Sequence, residues 1–385
     1  MSKCPLCFTD VGTVEASWQC VNRDCASEAT EHPAVKAYLG REMKIKQRRR
    51  EVRPKDHRGP WTPRLEQHCT KCGAHMERSC LVCQQPIPKD IDTSDVICVA
   101  LTGARATGKS VSIGVMRLFV EKLVEELRSA LTFESRYSQT DESKEYLDQI
   151  LTGKAYPATP PGIARSLLYS LGQLNGKHRY LAFRDIAGED LEKSDSSLNL
   201  SFLGRADLVI FLFDPLAIRS IRDALESVIP RQGEPGQDPQ RVLGTVLKHI
   251  SNGRPHLAVC LAKVDALQAL GEQNSPLSPV FANAGTTLVR EAPKRTIGGP
   301  AYDQADGLLL SEEVRSTLML LNGTSIVNMV ENPATKVVLP HRFFATSALG
   351  AAADGELLPD HGITPFRVLD PLLWILNEKG VVPSA

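Results

Sequence analysis

The eight residues Gly103-Ala104-Arg105-Ala106-Thr107-Gly108-Lys109-Ser110 constrain this chain more than any other stretch. They complete the pattern G-x-x-x-x-G-K-S, follow an apolar run over 96–101 and open an amphipathic segment over 111–131. Strand, glycine-containing turn and helix in that order are what a phosphate loop needs. The glycines let successive backbone N–H groups turn toward a polyphosphate at the positive end of a helix dipole. Lys109 is then placed to neutralise the outer phosphates, and Ser110 to ligate Mg2+.

Behind the loop, buried-strand runs alternate with helical patterns. Val115, Phe119, Leu123 and Leu127 recur every four residues as a helical stripe. Strand-like runs at 166–171 and 180–185 flank Asn175-Gly176, which predicts a hairpin. Further strands are expected at 208–214, 257–262 and 342–346, with helices at 218–229, 241–250, 311–321 and 365–376. Pro, Gly and Ser punctuate 271–310, which reads as an insertion. The expected fold is α/β, a mostly parallel sheet with one antiparallel hairpin strand and helices on both faces.

The chain has 385 residues, room for one core of roughly 250 to 300 residues plus something small, or for two domains. Its formal net charge is zero and 42% of it is hydrophobic, which fits an ordinary globular protein. No apolar run approaches the ~18 residues of a membrane span, and Met1-Ser2-Lys3-Cys4 starts no signal peptide, so a cytoplasmic location is expected.

Eight of the ten cysteines fall in metal-type spacings. Cys4-x-x-Cys7 and Cys20-x4-Cys25 form a first block, Cys69-x-x-Cys72 and Cys80-x-x-Cys83 a second. Each block is a candidate closed Cys4 zinc site, structural because no coordination position remains for water. Free thiols, a disulfide or an iron–sulfur site are the alternatives, and His68 and His75 are read as solvated neighbours. The expected domains are a zinc-ribbon-like module at 1–40, a basic linker at 41–60, a second module at 61–90 and the nucleotide domain at 95–385. The linker, dense in Arg and Lys, is a polyanion-binding segment or, preferably, a solvated helix ending before Pro54. Cys98 and Cys260 are expected to be inert strand thiols.

The phosphate loop, Asp185-x-x-Gly188, Lys263-x-Asp265 and Ser347-Ala348 follow the order of the signature elements of Ras-like, translation-factor-related GTPases. The resemblance spans roughly 95–377 and implies a P-loop GTPase domain binding GTP or GDP. It implies that Asp185 holds Mg2+ through water and that the Gly188 N–H meets the terminal phosphate. Asp265 would read guanine N1 and N2, the Lys263 stem would cover the ring, and the Ala348 N–H would meet O6. Thr159 is the candidate switch threonine for Mg2+, with Thr140 and Thr152 competing.

Two positions depart from that family. Ala262 stands where Asn is usual, as in septin-like members, and Glu189 stands where a water-orienting Gln is usual, which implies slow hydrolysis. Arg105 either reaches the phosphates from within or points outward and obstructs a partner's arginine, the preferred reading.

The zinc-ribbon tail, Tyr156-Pro-Ala-Thr-Pro160, Asp185-Ile-Ala-Gly-Glu189 and Val368-Leu-Asp-Pro-Leu-Leu-Trp374 resemble the double-GTPase group of bacterial conflict systems. That likeness implies a regulatory switch working with other encoded proteins, another GTPase among the candidates. The competing readings are an ATPase with Asp214 as its Walker-B carboxylate, a non-hydrolysing nucleotide-stabilised scaffold, and a nucleic-acid-binding zinc protein.

Overall fold

The computed structural model describes residues 2–12, 14–26, 30–31, 33–39, 44–59, 61–64, 66–138, 165–192, 199–225, 238–253, 255–272, 277–292, 300–350 and 363–385. Thr159, Thr140, Thr152 and the Tyr-Pro-Ala-Thr-Pro segment lie outside these residues.

The N-terminal region builds a three-stranded antiparallel sheet in the order β4-β1-β5, from β1 (Glu15–Cys20), β4 (Arg48–Val52) and β5 (Met76–Ser79). Between β1 and β4 run β2 (Thr30–Glu31), α1 (Pro33–Leu39) and β3 (Lys44–Ile45), with β2 and β3 paired to each other. Fully buried Trp18 anchors this sheet, with the Arg78 guanidinium 4.9 Å from its ring centroid. Over its described residues, 44–59, the basic stretch is strand, turn and coil and not a helix. Residues 48–52 pair antiparallel with β1, satisfying one edge of their backbone, while Arg48, Arg49 and Arg50 stay exposed and Arg50 reaches Glu15 at 3.2 Å.

The large sheet has seven strands in the order β12-β11-β10-β6-β9-β8-β7. They are β6 (Asp95–Thr102), β7 (Thr132–Phe133), β8 (Arg165–Leu174), β9 (Lys177–Asp185), β10 (Leu208–Phe213), β11 (His256–Leu261) and β12 (His341–Ala345). β12, β11, β10, β6 and β9 are parallel, and β8 and β7 continue the sheet antiparallel. The β8–β9 turn is the expected Asn175-Gly176, with both residues at positive φ. All six residues of β10 are buried, which requires cover on both faces of the sheet.

The helices are α2 (Lys109–Glu126), α3 (Gly188–Glu192), α4 (Arg219–Leu225), α5 (Pro239–Ile250), α6 (Val264–Gln268), α7 (Ser278–Phe281), α8 (Gln304–Leu320), α9 (Thr324–Glu331) and α10 (Asp370–Glu378). Two begin elsewhere than the periodicity suggests. α8 starts at Gln304, inside the expected insertion, because Asp303 caps it by accepting from the Asp306 N–H. α10 starts at Asp370 rather than 365, because residues 364–366 are occupied by backbone hydrogen bonds to the segment after β12.

The N-terminal region is not a detached module. Cys4, Leu6, Cys7, Phe8, Cys80 and Cys83 belong to the same buried cluster as the large sheet, whereas Ala16, Trp18, Cys20, Cys25, Cys69 and Met76 form a second, small one. Among the described residues no helix is long and apolar enough to cross a membrane.

Candidate nucleotide and metal sites

The phosphate loop joins β6 to α2. Gly103 has φ +139° and no room for a side chain, since a Cβ there would lie 2.1 Å from the Leu212 carbonyl oxygen. Gly108 is the N-cap of α2, with φ +81° and no side-chain cap, so the first N–H groups of the helix are left for a ligand. The Thr107 hydroxyl donates to the Ala104 carbonyl at 3.0 Å and closes the loop on itself. Lys109 is buried and donates to the Gly103 and Ala104 carbonyls at 3.0 and 2.7 Å. Burial pulls its ammonium below the ordinary lysine range, and Asp185 and Glu192 pull the other way.

Ser110 and Asp185, on different elements, meet directly, the Ser110 hydroxyl donating to Asp185 Oδ2 at 2.8 Å. Side by side at the phosphate loop, a hydroxyl and a buried carboxylate are the two oxygen donors a Mg2+ ion would take from protein. Gly188 opens α3 flat against the loop, and a Cβ on it would lie 2.5 Å from the Arg105 nitrogen.

Sequence reasoning missed Glu192. Its carboxylate is buried, accepts from the Arg105 backbone N–H at 3.2 Å and lies 3.7 Å from Arg105 Nε. Glu189 holds the same guanidinium at 3.2 Å. The Arg105 side chain is 59% exposed and is clasped by the two carboxylates of α3.

The remaining motifs lie at the C-terminal ends of β11 and β12, the usual ligand position in a parallel sheet. The Val264 N–H donates to the Thr346 carbonyl at 3.2 Å, so Lys263-x-Asp265 and Ser347-Ala348 sit side by side. Asp265 is in the first turn of α6 and Ser347 is buried. Lys263 takes a left-handed φ of +54°, and its ammonium pairs with Asp214 at 2.9 Å. Asp214 also caps the turn after β10 by accepting from the Leu216 N–H at 2.9 Å. Asp214 is thus engaged with Lys263 and the turn after β10, whereas Asp185 is the carboxylate that meets Ser110.

The cysteines form two tetrads, and their membership corrects the sequence grouping. Cys4, Cys7, Cys80 and Cys83 converge at one point, and Cys20, Cys25, Cys69 and Cys72 at another. Each centre takes one pair from either end of the region, because β1 lies between β4 and β5 and brings residues 69–83 back alongside the first block. Closest sulfur pairs are 3.6 Å (Cys4–Cys83), 3.5 Å (Cys7–Cys80), 3.7 Å (Cys20–Cys72) and 3.7 Å (Cys25–Cys69). Sulfurs bound to one zinc at ~2.3 Å stand about 3.8 Å apart in a tetrahedron, so the spacing fits a ZnS4 centre and is far too long for a disulfide. His68 and His75 pack on each other, ring centroids 4.2 Å apart, outside both tetrads. Cys98 and Cys260 are buried, and burial pushes both thiols up.

No protein-family profile matches the chain. The "Putative ESX-1 scaffolding and assembly protein SaeC" of Mycolicibacterium smegmatis is 37% identical over 395 residues, covering 99% of this chain and 100% of that protein. The chain belongs to the SaeC family. Among solved structures, this SaeC-family chain is similar to the signal recognition particle receptor SRb-GTP/SRX complex from Chaetomium thermophilum, at 13% identity and TM-score 0.29 over 67% of this chain and 93% of that one. It is also similar to the S. cerevisiae Ski7 GTPase-like domain bound to GDP and inorganic phosphate, at 11% identity and TM-score 0.32 over 75% and 51%. Likeness at that level adds nothing to the strand order and loop geometry described above.

Proposed function

We propose that this SaeC-family chain is a guanine-nucleotide-binding switch with slow intrinsic GTP hydrolysis, stabilised by two structural zinc ions. In this reading it serves the assembly of a bacterial multi-protein system, the role named for its ESX-1 relative. The observation that carries the nucleotide reading is the Ser110–Asp185 contact at 2.8 Å beside buried Lys109 in a loop that tolerates only glycine at 103. These residues fit a Mg2+-bound triphosphate. Ser110 and Asp185 would hold the metal, the loop amides and Lys109 the phosphates, and Asp265 with the Ala348 N–H the base. Bound Mg2+ would supply charge neutralisation to the phosphates.

The chain's own residues account for slow turnover. Glu189 stands where a water-orienting group is expected, carries a negative charge, and is engaged with Arg105 rather than directed at a phosphate. Glu192 holds the Arg105 amide, a donor that a terminal phosphate would otherwise use. The clasp of Arg105 by α3 is a closed state that a triphosphate must open. Protein partners would read whether it is open.

A second reading, a scaffold that binds nucleotide without hydrolysing it, is favoured by the same Glu189–Arg105 pair. Single-turnover hydrolysis of bound GTP separates the two. Slow release of phosphate, abolished in Lys109→Ala, supports the switch. GTP that binds tightly and stays intact with Mg2+ and partner extract present supports the scaffold.

A further inference from the structure

Arg184 immediately precedes Asp185 on β9, and its side chain is fully buried. A guanidinium stays charged in a protein, so burying one without an anion is costly. Among the described residues no carboxylate pairs with it. It donates to the Leu6 and Tyr38 carbonyls and lies with its Cζ 3.8 Å from the Phe202 ring centroid. Leu6 sits between Cys4 and Cys7, so the guanidinium rests against the loop that supplies half of the first tetrad.

A dication held by four thiolates keeps a net negative charge. The loaded Cys4–Cys7–Cys80–Cys83 centre is thus the anion this buried arginine lacks. The same loop is gripped from β8 and from the helical turn at 200–205. Buried Ser166 of β8, paired in register with Arg184, donates to the Pro5 carbonyl at 3.4 Å, and Arg205 donates to the Cys7 carbonyl at 3.1 Å. The second tetrad belongs to a separate small core, and the cation on its loop, Lys46 donating to the Asn22, Arg23 and Cys25 carbonyls, comes from the N-terminal region itself and not from the large sheet.

We infer that the Cys4–Cys7–Cys80–Cys83 centre is a regulatory metal site, whose occupancy by zinc is linked through Arg184 to the Asp185 end of the nucleotide site. The inference rests on the nucleotide and zinc readings above. Zinc holds Arg184, Arg184 holds the end of β9, and the end of β9 places the Mg2+ carboxylate. Loss of zinc removes the counter-charge and releases that strand end. Arg184 is a positioning residue, touching neither nucleotide nor metal.

Linkage is reciprocal, so nucleotide must change the affinity for zinc by the factor by which zinc changes the affinity for nucleotide. The test uses the full chain loaded with two zinc ions and titrated with a zinc-selective chelator, with and without Mg2+ and GTP. Cys72→Ser, which removes the second centre, assigns the two steps. GTP is expected to tighten zinc at the first centre by about fivefold or more, the lower end of ordinary coupling between linked sites, and to leave the second unchanged. Arg184→Gln is expected to keep the wild-type circular dichroism and a cooperative thermal transition, which report that the large sheet folds, and to lose the coupling. Equal chelation curves with and without bound GTP, or full coupling in Arg184→Gln, would overturn the inference while leaving the nucleotide reading intact. A chain that takes up zinc but no GTP overturns both.

Discussion

Replacing Glu192 by Gln should make the protein discriminate more sharply between GTP and GDP. The Glu192 carboxylate is buried and accepts from the Arg105 N–H at 3.2 Å. It stands beside Gly188, whose N–H would meet a terminal phosphate, and that glycine packs against the same Arg105 nitrogen. A triphosphate entering the loop must separate the carboxylate from this amide and then tolerate its charge nearby. A hydrogen bond with one charged partner contributes about 1.5 to 3 kcal/mol, which as affinity is roughly 10- to 150-fold. Gln keeps an accepting oxygen, so the gain should fall near the lower limit, about tenfold tighter GTP. GDP does not reach that side of the loop and should gain less than about threefold, under half of that free energy. Calorimetric titration of wild type and Glu192→Gln with each nucleotide in Mg2+ gives the four affinities needed. An equal gain for GDP and GTP, or none for either, would show that the carboxylate does not compete with the terminal phosphate.

Four further outcomes follow from the same geometry. Cys4→Ser/Cys20→Ser should carry no zinc by metal analysis, whereas Cys4→Ser/Cys83→Ser should keep one ion per chain; the reverse would restore the grouping read from sequence. Gly188→Ala forces a Cβ to within 2.5 Å of the Arg105 nitrogen, and should cost about 1 to 3 kcal/mol in a denaturant midpoint and weaken GTP; an unchanged protein would mean that α3 does not lie on the loop. Arg105→Ala should leave single-turnover hydrolysis within about threefold of wild type, because the guanidinium is exposed and held by Glu189 and Glu192; a fall of ~10^3 would make it a catalytic arginine. Burial alone would raise the Asp207 carboxyl, but Lys3 at 2.9 Å, Lys379 at 2.5 Å and the Cys98 N–H outweigh it and hold the carboxyl below its usual range. A depressed carboxylate stabilises above its unfolded value of about 3.9, and that contribution is lost as pH falls through the lower folded value. The difference in urea midpoint between wild type and Asp207→Asn should therefore be constant near neutrality and shrink below about pH 4; zinc loss at acid pH acts on both proteins, and a difference that does not shrink would refute the ion pairs.

Where chemistry is local, the sequence was readable. The phosphate loop, the Asn175-Gly176 hairpin and the strand ends at Asp185, Lys263 and Ser347 each depend on residues within a few positions of each other; the sheet sets the loop and the three strand ends along one edge and the hairpin at the other. The cysteine grouping depends on something else. C-x-x-C spacing fixes which two sulfurs share a turn, but the pairing of β1 with β5 decides which turns share a metal. The basic stretch was misread because charge density reports solvent exposure and not backbone state; residues 48–50 are exposed on an edge strand as they would be on a helix. Glu192 belongs to no motif. Its signal was only a second carboxylate one helical turn after Glu189, facing an arginine in a loop where small residues are usual. Arg184 could not have been found, since nothing local marks a charged residue in an apolar strand as the neighbour of a cysteine loop far away in the chain.

The most direct measurement is an equilibrium titration of the zinc-loaded full chain with GTP and with ATP, each with and without Mg2+, beside Asp265→Ala. Tight, Mg2+-dependent binding of GTP, at least about 100-fold weaker ATP, and loss of that preference in Asp265→Ala are the predicted results. Adenine bound as well as guanine, a preference that survives in Asp265→Ala, or no binding of either nucleotide would contradict the account.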